Sequence, residues 1–246
     1  MLEIIPPGPL SGKIVIVTGA TGGLGRVVVK SLLDVGAVVA AVYRDGERFK
    51  ELLTTVGGKT SALEGIGADV TLETDVRDMV EAVLRGHGRI DVLLNLVGAY
   101  RGGADITTME ERDWDFLMQT NLKSAFLCSK AVLPPMMKAN SGRIISVAAR
   151  PAIERKGRAK AGAYAVSKAG VVVLTEIIAE EMKKFNITAN CILPGTIDTP
   201  ENRKNLPNAE FSTWVKPEEI ASVLLCLISD DFSVTSGAPI PVYGRS

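Results

Sequence analysis

Histidine is nearly absent from this chain, with His87 the one copy in 246 residues, and the three cysteines, Cys128, Cys191 and Cys226, are far apart in apolar contexts. No Cys-x-x-Cys pair exists. Zinc sites and disulfide frameworks are therefore not expected, and the thiols read as buried structural groups in a reducing compartment. Aromatic residues are also scarce, 5% against 46% hydrophobic overall. The core must then be built from Val, Leu, Ile and Ala, the composition of a buried parallel sheet. Net charge is zero, 28 basic against 28 acidic residues, and no basic run could track phosphates, which argues against nucleic acid. No apolar stretch approaches the ~18 residues of a membrane span. Residues 1–13 carry Pro6, Pro7 and Pro9 and no apolar signal-peptide core. A cytoplasmic protein without membrane contact is the expectation.

Aliphatic runs alternate regularly with amphipathic segments. Strands are expected at 13–17 (KIVIV), 37–42, near 62–67, 90–94, 143–147, 187–193 and 238–242. Helices are expected at 23–35, 47–55, 73–85, 113–138, 163–185 and 217–229, with Pro134 and Pro135 distorting the end of the fourth. Short connections in a βα alternation imply an α/β, doubly wound, Rossmann-type sheet of about seven parallel strands with helices on both faces. Nothing divides the chain, so 1–246 is read as a single domain. Ligands in such folds sit at the carboxyl ends of the strands. Two irregular stretches, 150–162 and 199–215, are candidate walls there, and Trp214 in the second is a candidate substrate contact. His87 lies before a strand, at the opposite edge, and reads as a solvated loop residue.

Directly after the first strand comes Thr18-Gly19-Ala20-Thr21-Gly22-Gly23-Leu24-Gly25, leading into a helix. Glycines allow a tight turn and close approach of a pyrophosphate, while the helix start offers free N–H groups. Where the second strand ends, Tyr43-Arg44-Asp45 should meet the adenosine ribose. Arg44 favours NADP(H) over NAD(H) by accepting a 2′-phosphate, and Asp45 leaves NAD(H) open. Further on, Tyr164-Ala165-Val166-Ser167-Lys168 places a phenol and an ammonium on one helix face. A neighbouring cation lowers a phenol's pKa.

Taken together and in order, these motifs, Asp69-Val70, Asn121-Leu122 and Pro194-Gly195-Thr196-Ile197-Asp198-Thr199 resemble the short-chain dehydrogenase/reductase family over roughly residues 10–244. The resemblance implies a homodimer or homotetramer that moves hydride between a nicotinamide cofactor and a small-molecule carbonyl or alcohol. By position, Thr18, Gly19, Thr21, Gly23, Leu24 and Gly25 would hold the pyrophosphate, Asp69 and Val70 the adenine, and Asn95 and Gly98 the loop after the fourth strand. Tyr164 would be the general acid of reduction, with Lys168 lowering its pKa and binding the nicotinamide ribose. Asn121 would anchor a water of the proton relay. Pro194, Gly195, Ile197 and Thr199 would lie against the nicotinamide.

One departure is visible. The family's usual serine, which bonds the substrate carbonyl, aligns with Ala149. Ser146 lies three residues earlier, and an odd offset along a strand points it to the other face. Three readings follow: Tyr164 suffices with a loop group such as Arg150 or Lys160; the substrate is quinonoid, as for the serine-free dihydropteridine reductases; or the protein binds cofactor as a regulatory module with little turnover.

Overall fold

The computed structural model describes residues 10–58, 60–155 and 157–245. The prolines at 6, 7 and 9 lie outside them. Seven strands form one parallel sheet: β1 (Ile14–Thr18), β2 (Val38–Tyr43), β3 (Leu63–Gly67), β4 (Val92–Asn95), β5 (Gly142–Val147), β6 (Ile187–Pro194) and β7 (Pro239–Val242), in the spatial order 3-2-1-4-5-6-7. Each strand is followed by helix or turn: α1 (Gly23–Asp34), α2 (Gly46–Val56), α3 (Glu73–His87), α4 (Glu111–Leu117), α5 (Ser124–Ala139), α6 (Gly162–Glu181), α7 (Pro200–Asn205) and α8 (Pro217–Ile228). The expected strands are present, as are the expected helices apart from that of 113–138, and the short α7 is an addition inside 199–215.

β1 shows why aliphatic runs rather than alternation encode this sheet. All five of its residues are buried. Val15 and Val17 pack with the residues of α1 and α8 on one face, Ile14 and Ile16 with those of α3 and α5 on the other. A strand covered on both faces has no polar side to present. β7 is one of the two edge strands, pairing only with β6, and it carries Pro239 and Pro241 where a missing N–H is tolerated.

Between β1 and β4 the strand order reverses. Thr18 pins this switch point: its Oγ1 donates to Leu94 O (3.3 Å) and accepts from Leu96 N (3.2 Å). The loops that follow β1 and β4 border a crevice at this point.

Several expectations need correction. The stretch 113–138 is not one helix but α4 and α5 joined by a π-helical turn, Met118–Lys123, supported by Ser124 Oγ donating to Thr120 O (2.5 Å). Pro134 and Pro135 sit within α5, which runs on to a left-handed Asn140 (φ 49°). His87 ends α3 with its ring half-buried and Nε2 3.1 Å from Glu64 Oε2. Cys226 is exposed, whereas Cys128 and Cys191 are buried. Finally, α6 is long and apolar enough to cross a membrane by length and composition, but half of that window is buried inside the fold. It is a core helix packed on β6.

Candidate active site

A cleft of about 480 Å³ lies over the carboxyl ends of β1 to β4. Its floor is the turn after β1. Gly19 has φ +67°, and a Cβ there would stand 3.1 Å from Val97 N. Gly25 is more tightly constrained, since a Cβ would lie 2.1 Å from Gly19 O. The turn can close onto the start of α1 only without side chains at these positions. Gly23 faces the loop after β6, where a Cβ would meet Thr199 Cγ2 at 2.8 Å. Thr21 and Gly98 line the cleft, whereas Leu24 packs its side chain against the core.

The end of the cleft beyond β2 is charged. Arg44, Asp45, Arg48, Asp69 and Val70 line it. Arg44 Nη1 lies 3.6 Å from Asp69 Oδ2. Burial raises the pKa of the Asp69 carboxyl, but hydrogen bonds from Thr71 N (2.9 Å) and Thr71 Oγ1 (2.7 Å), with the charge of Arg44, hold it below its ordinary value. Asp45 caps α2, accepting from Glu47 N (2.9 Å) and Arg48 N (3.3 Å). Arg48 was missed in the sequence; projecting the first turn of α2 beyond Arg44 was the signal that could have found it.

At the other end stand the buried groups. Tyr164 lies in the first turn of α6 and Lys168 one turn on. Lys168 Nζ donates to Val147 O (2.6 Å) at the end of β5. Burial pulls its pKa down to about 8. Burial likewise pushes the Tyr164 phenol up to about 12, and the nearby Tyr100 phenol adds to the rise. This corrects the expectation of a phenol lowered by Lys168: desolvation of the phenolate dominates. Tyr164 is therefore protonated at neutral pH, the state a proton donor needs.

The π turn brings Asn121 between the loop after β4 and α6. Its Oδ1 accepts from Ala99 N (2.7 Å), and its Nδ2 donates to Ala99 O (3.0 Å) and Ser167 Oγ (3.0 Å). Ser167 Oγ in turn donates to Tyr164 O (2.8 Å), so Asn121 is linked to the backbone that carries the phenol. Gly98 completes this contact, because a Cβ there would come within 3.0 Å of Lys168 Nζ and 3.4 Å of Asn121 Oδ1. Asn95 sits beneath the cleft, its Nδ2 donating to Ser129 Oγ (3.3 Å) and Ser146 Oγ (3.2 Å). Ser146 thus turns away from the cleft, as its strand offset implied.

Ala149 is buried and extended just beyond β5, ahead of a short 3-10 turn, Arg150–Ala152. Arg150 is held elsewhere: its Nε donates to Glu154 Oε2 (2.7 Å), and its guanidinium lies 4.7 Å from the Tyr243 ring centroid. Lys160 is exposed, with φ 60°. After β6, Pro194 pairs with Val242, and Gly195 N donates to Val242 O (3.0 Å). Ile197 O accepts from Asn202 Nδ2 (2.9 Å), and Thr199 Oγ1 from Asn202 N (3.2 Å), so Asn202 holds this loop against the glycine turn. Trp214 is buried, edge-on to Phe211. Tyr100, whose ring lies 4.9 Å from that of Tyr164, had no signal in the sequence.

A glycine floor and a charged far end fit a dinucleotide; a buried amine, phenol and amide at the near end fit proton transfer beside it. The profile described as short chain dehydrogenase matches residues 13–210. The chain is 34% identical over 244 residues to the 3-oxoacyl-[acyl-carrier-protein] reductase FabG of Thermotoga maritima, covering 96% of this chain and 98% of that one. It is 34% identical over 251 residues to dehydrogenase/reductase SDR family member 6 of Danio rerio, with coverage of 96% and 98%. Among solved structures, an actinorhodin polyketide ketoreductase with NADPH superposes with a TM-score of 0.87 at 26% identity, covering 95% and 96%.

Proposed function

Because this chain belongs to the short-chain dehydrogenase/reductase family, an NAD(P)-dependent oxidoreductase family, we propose that it is a single-domain cytoplasmic reductase of a small ketone, or a dehydrogenase of the matching alcohol. The observation that carries this reading is a buried Lys168 one helical turn after a partly buried Tyr164, with Lys168 Nζ against Gly98 of the glycine-floored crevice.

A bound nicotinamide supplies or accepts the hydride. Tyr164 Oη gives its proton to the substrate oxygen as that oxygen gains charge. Lys168, whose Nζ donates to Val147 O, would carry a positive charge near the phenol and would bind the ribose of the cofactor. Asn121 ties the loop after β4 to α6 and so would hold the loop through Gly98 and Ala99 beside Tyr164 and Lys168. Gly19, Thr21, Gly23 and Gly25, with the backbones of Thr18 and Leu24, would cradle the pyrophosphate. Asp69 and Val70 would hold the adenine, Asn95 and Gly98 the loop beside the ribose, and Pro194, Gly195, Ile197 and Thr199 the nicotinamide edge.

NADP(H) is favoured over NAD(H). Two guanidinium groups, Arg44 and Arg48, line the far end of the cleft, and the Asp45 carboxylate that would favour a 2′-hydroxyl is engaged in capping α2. Exposed apolar residues on α5 and α6, Phe126, Val166, Val173 and Ile177, support a homodimer or homotetramer built through these helices.

Ala149 stands where a serine donor is usual, so Tyr164 carries the substrate oxygen with less help. Losing one oxyanion donor costs about 10²–10³ in rate. The test is NADPH and NADH oxidation by pure protein against simple ketones, 3-oxoacyl thioesters, diketones and a quinonoid dihydropterin. Turnover of a ketone or 3-oxoacyl substrate is expected. Turnover of the pterin alone, or cofactor binding with no turnover, would overturn the carbonyl reading.

A further inference from the structure

Tyr100 stands beside Tyr164, and neither the motifs nor the reaction accounts for it. It follows the cofactor loop Asn95-Leu96-Val97-Gly98 by two positions and is 66% exposed. A single exposed aromatic residue ordinarily asks for no explanation. This one stands with its ring centroid 4.9 Å from that of Tyr164 and the planes at 80°, so the two phenols form a corner.

The corner is held rather than accidental. Gly102 has no side chain where a Cβ would strike Tyr100 Oη at 2.2 Å. Gly103 N donates to Lys160 O (2.7 Å), and Ala104 pairs with Ala161. These contacts join the Tyr100 loop to the segment that enters α6, which carries Tyr164. On the β5 side the site offers the small, apolar Ala149 and Ala152.

We propose that Tyr100 determines substrate choice: its ring is an aromatic wall that orients a flat, aryl-substituted or conjugated ketone against Tyr164, in preference to a saturated chain. With no serine to fix the carbonyl, orientation falls to ring contact. A planar group lies against Tyr100 while its oxygen meets Tyr164 Oη. A flexible chain gains less from the same wall and loses more rotamer freedom on binding. The inference rests on the ketone-reductase reading, and its test is read without turnover.

Acetophenone and 2-octanone serve as probes of equal carbon number. Their binding to the protein–NADP⁺ complex, which cannot transfer hydride to a ketone, is measured by calorimetry for wild type, Tyr100→Ala and Tyr100→Phe. Wild type is expected to bind acetophenone more tightly than 2-octanone. Tyr100→Ala should reduce that ratio by about tenfold, and Tyr100→Phe, which keeps the ring, should restore it to within about threefold. A wild-type ratio at or below one, or a ratio unmoved in Tyr100→Ala, overturns the proposal. A ratio lost in Tyr100→Phe also overturns it, since the hydroxyl rather than the ring would then act. If the ratio behaves as expected but neither ketone is reduced with NADPH, the reductase reading fails while the role of Tyr100 in binding stands.

Discussion

At the end of the cleft proposed for adenosine the walls are backbone and charged side chains, as in the turn through Gly19 and Gly25 and the Arg44, Arg48 and Asp69 side chains; at the end proposed for catalysis stand the buried polar side chains of Lys168 and Asn121. Lys168 reaches Val147 O across 21 residues of sequence, and Asn121 reaches Ser167 across 46. The first end binds through groups that already meet water and through a turn with no side chains to move. The second holds a phenol whose burial keeps it protonated and an amine whose burial brings its pKa down to about 8, close to neutral pH. The division suggests that affinity and chemistry can be damaged separately.

The sharpest way to break the adenosine end is Gly25→Ala. The added methyl would sit 2.1 Å from Gly19 O, a backbone atom with no room to yield. Overpacking of this kind costs about 1–3 kcal/mol, so NADPH affinity, measured by fluorescence titration, should fall up to about 100-fold. An unchanged Kd would show that the turn does not shape the cofactor site.

Replacing both Arg44 and Arg48 by Ala should weaken NADPH about 10–100-fold while leaving NADH within a few fold, since charge-assisted hydrogen bonds contribute about 1.5–3 kcal/mol. Equal loss for both cofactors would remove the 2′-phosphate assignment.

Asn121→Ala moves to the other end. It strands Ala99 N and O, and leaving such groups unsatisfied costs about 1–3 kcal/mol. For a chain of this size Tm should drop by roughly 2–4 °C per kcal/mol. A variant as stable as wild type would mean that water replaces the amide without loss.

The smallest effect concerns pH. In the folded chain Lys168 titrates near 8, below the ordinary lysine value of 10.5. Between those two values the unfolded chain holds more protons than the folded one, so this group makes stability rise as pH climbs through the window. Thermal melts at pH 7, 8, 9 and 10 should therefore show the Tm of wild type rising relative to that of Lys168→Met. A parallel pair of curves would place the amine in solvent.

The same contrast explains what could be read from the chain alone. Strands and the glycine turn are local patterns: β1 is four aliphatic residues and Thr18 followed at once by Gly19, and both follow from composition and spacing. Arg44 was legible because it directly follows β2. The π turn at Met118–Lys123 was not, since the helical periodicity of 113–138 runs through it and the wider turn is stabilised by contacts with Ala99 and Ser167, distant in sequence. The pKa of Tyr164 was misjudged for a related reason. Spacing to Lys168 is visible in the chain, but the burial that outweighs it is a property of the packed fold. Tyr100 comes to Tyr164 through the Gly103–Lys160 and Ala104–Ala161 links, which no local pattern announces.

The central claim is that Tyr164 moves the proton while the rest of the cleft holds the cofactor. It is tested most directly by measuring NADPH affinity and single-turnover NADPH oxidation side by side for wild type and Tyr164→Phe, with a ketone that wild type reduces. The account predicts a rate lower by about 10²–10⁴ with Kd within a few fold. A Tyr164→Phe variant that oxidises NADPH at the wild-type rate would contradict it.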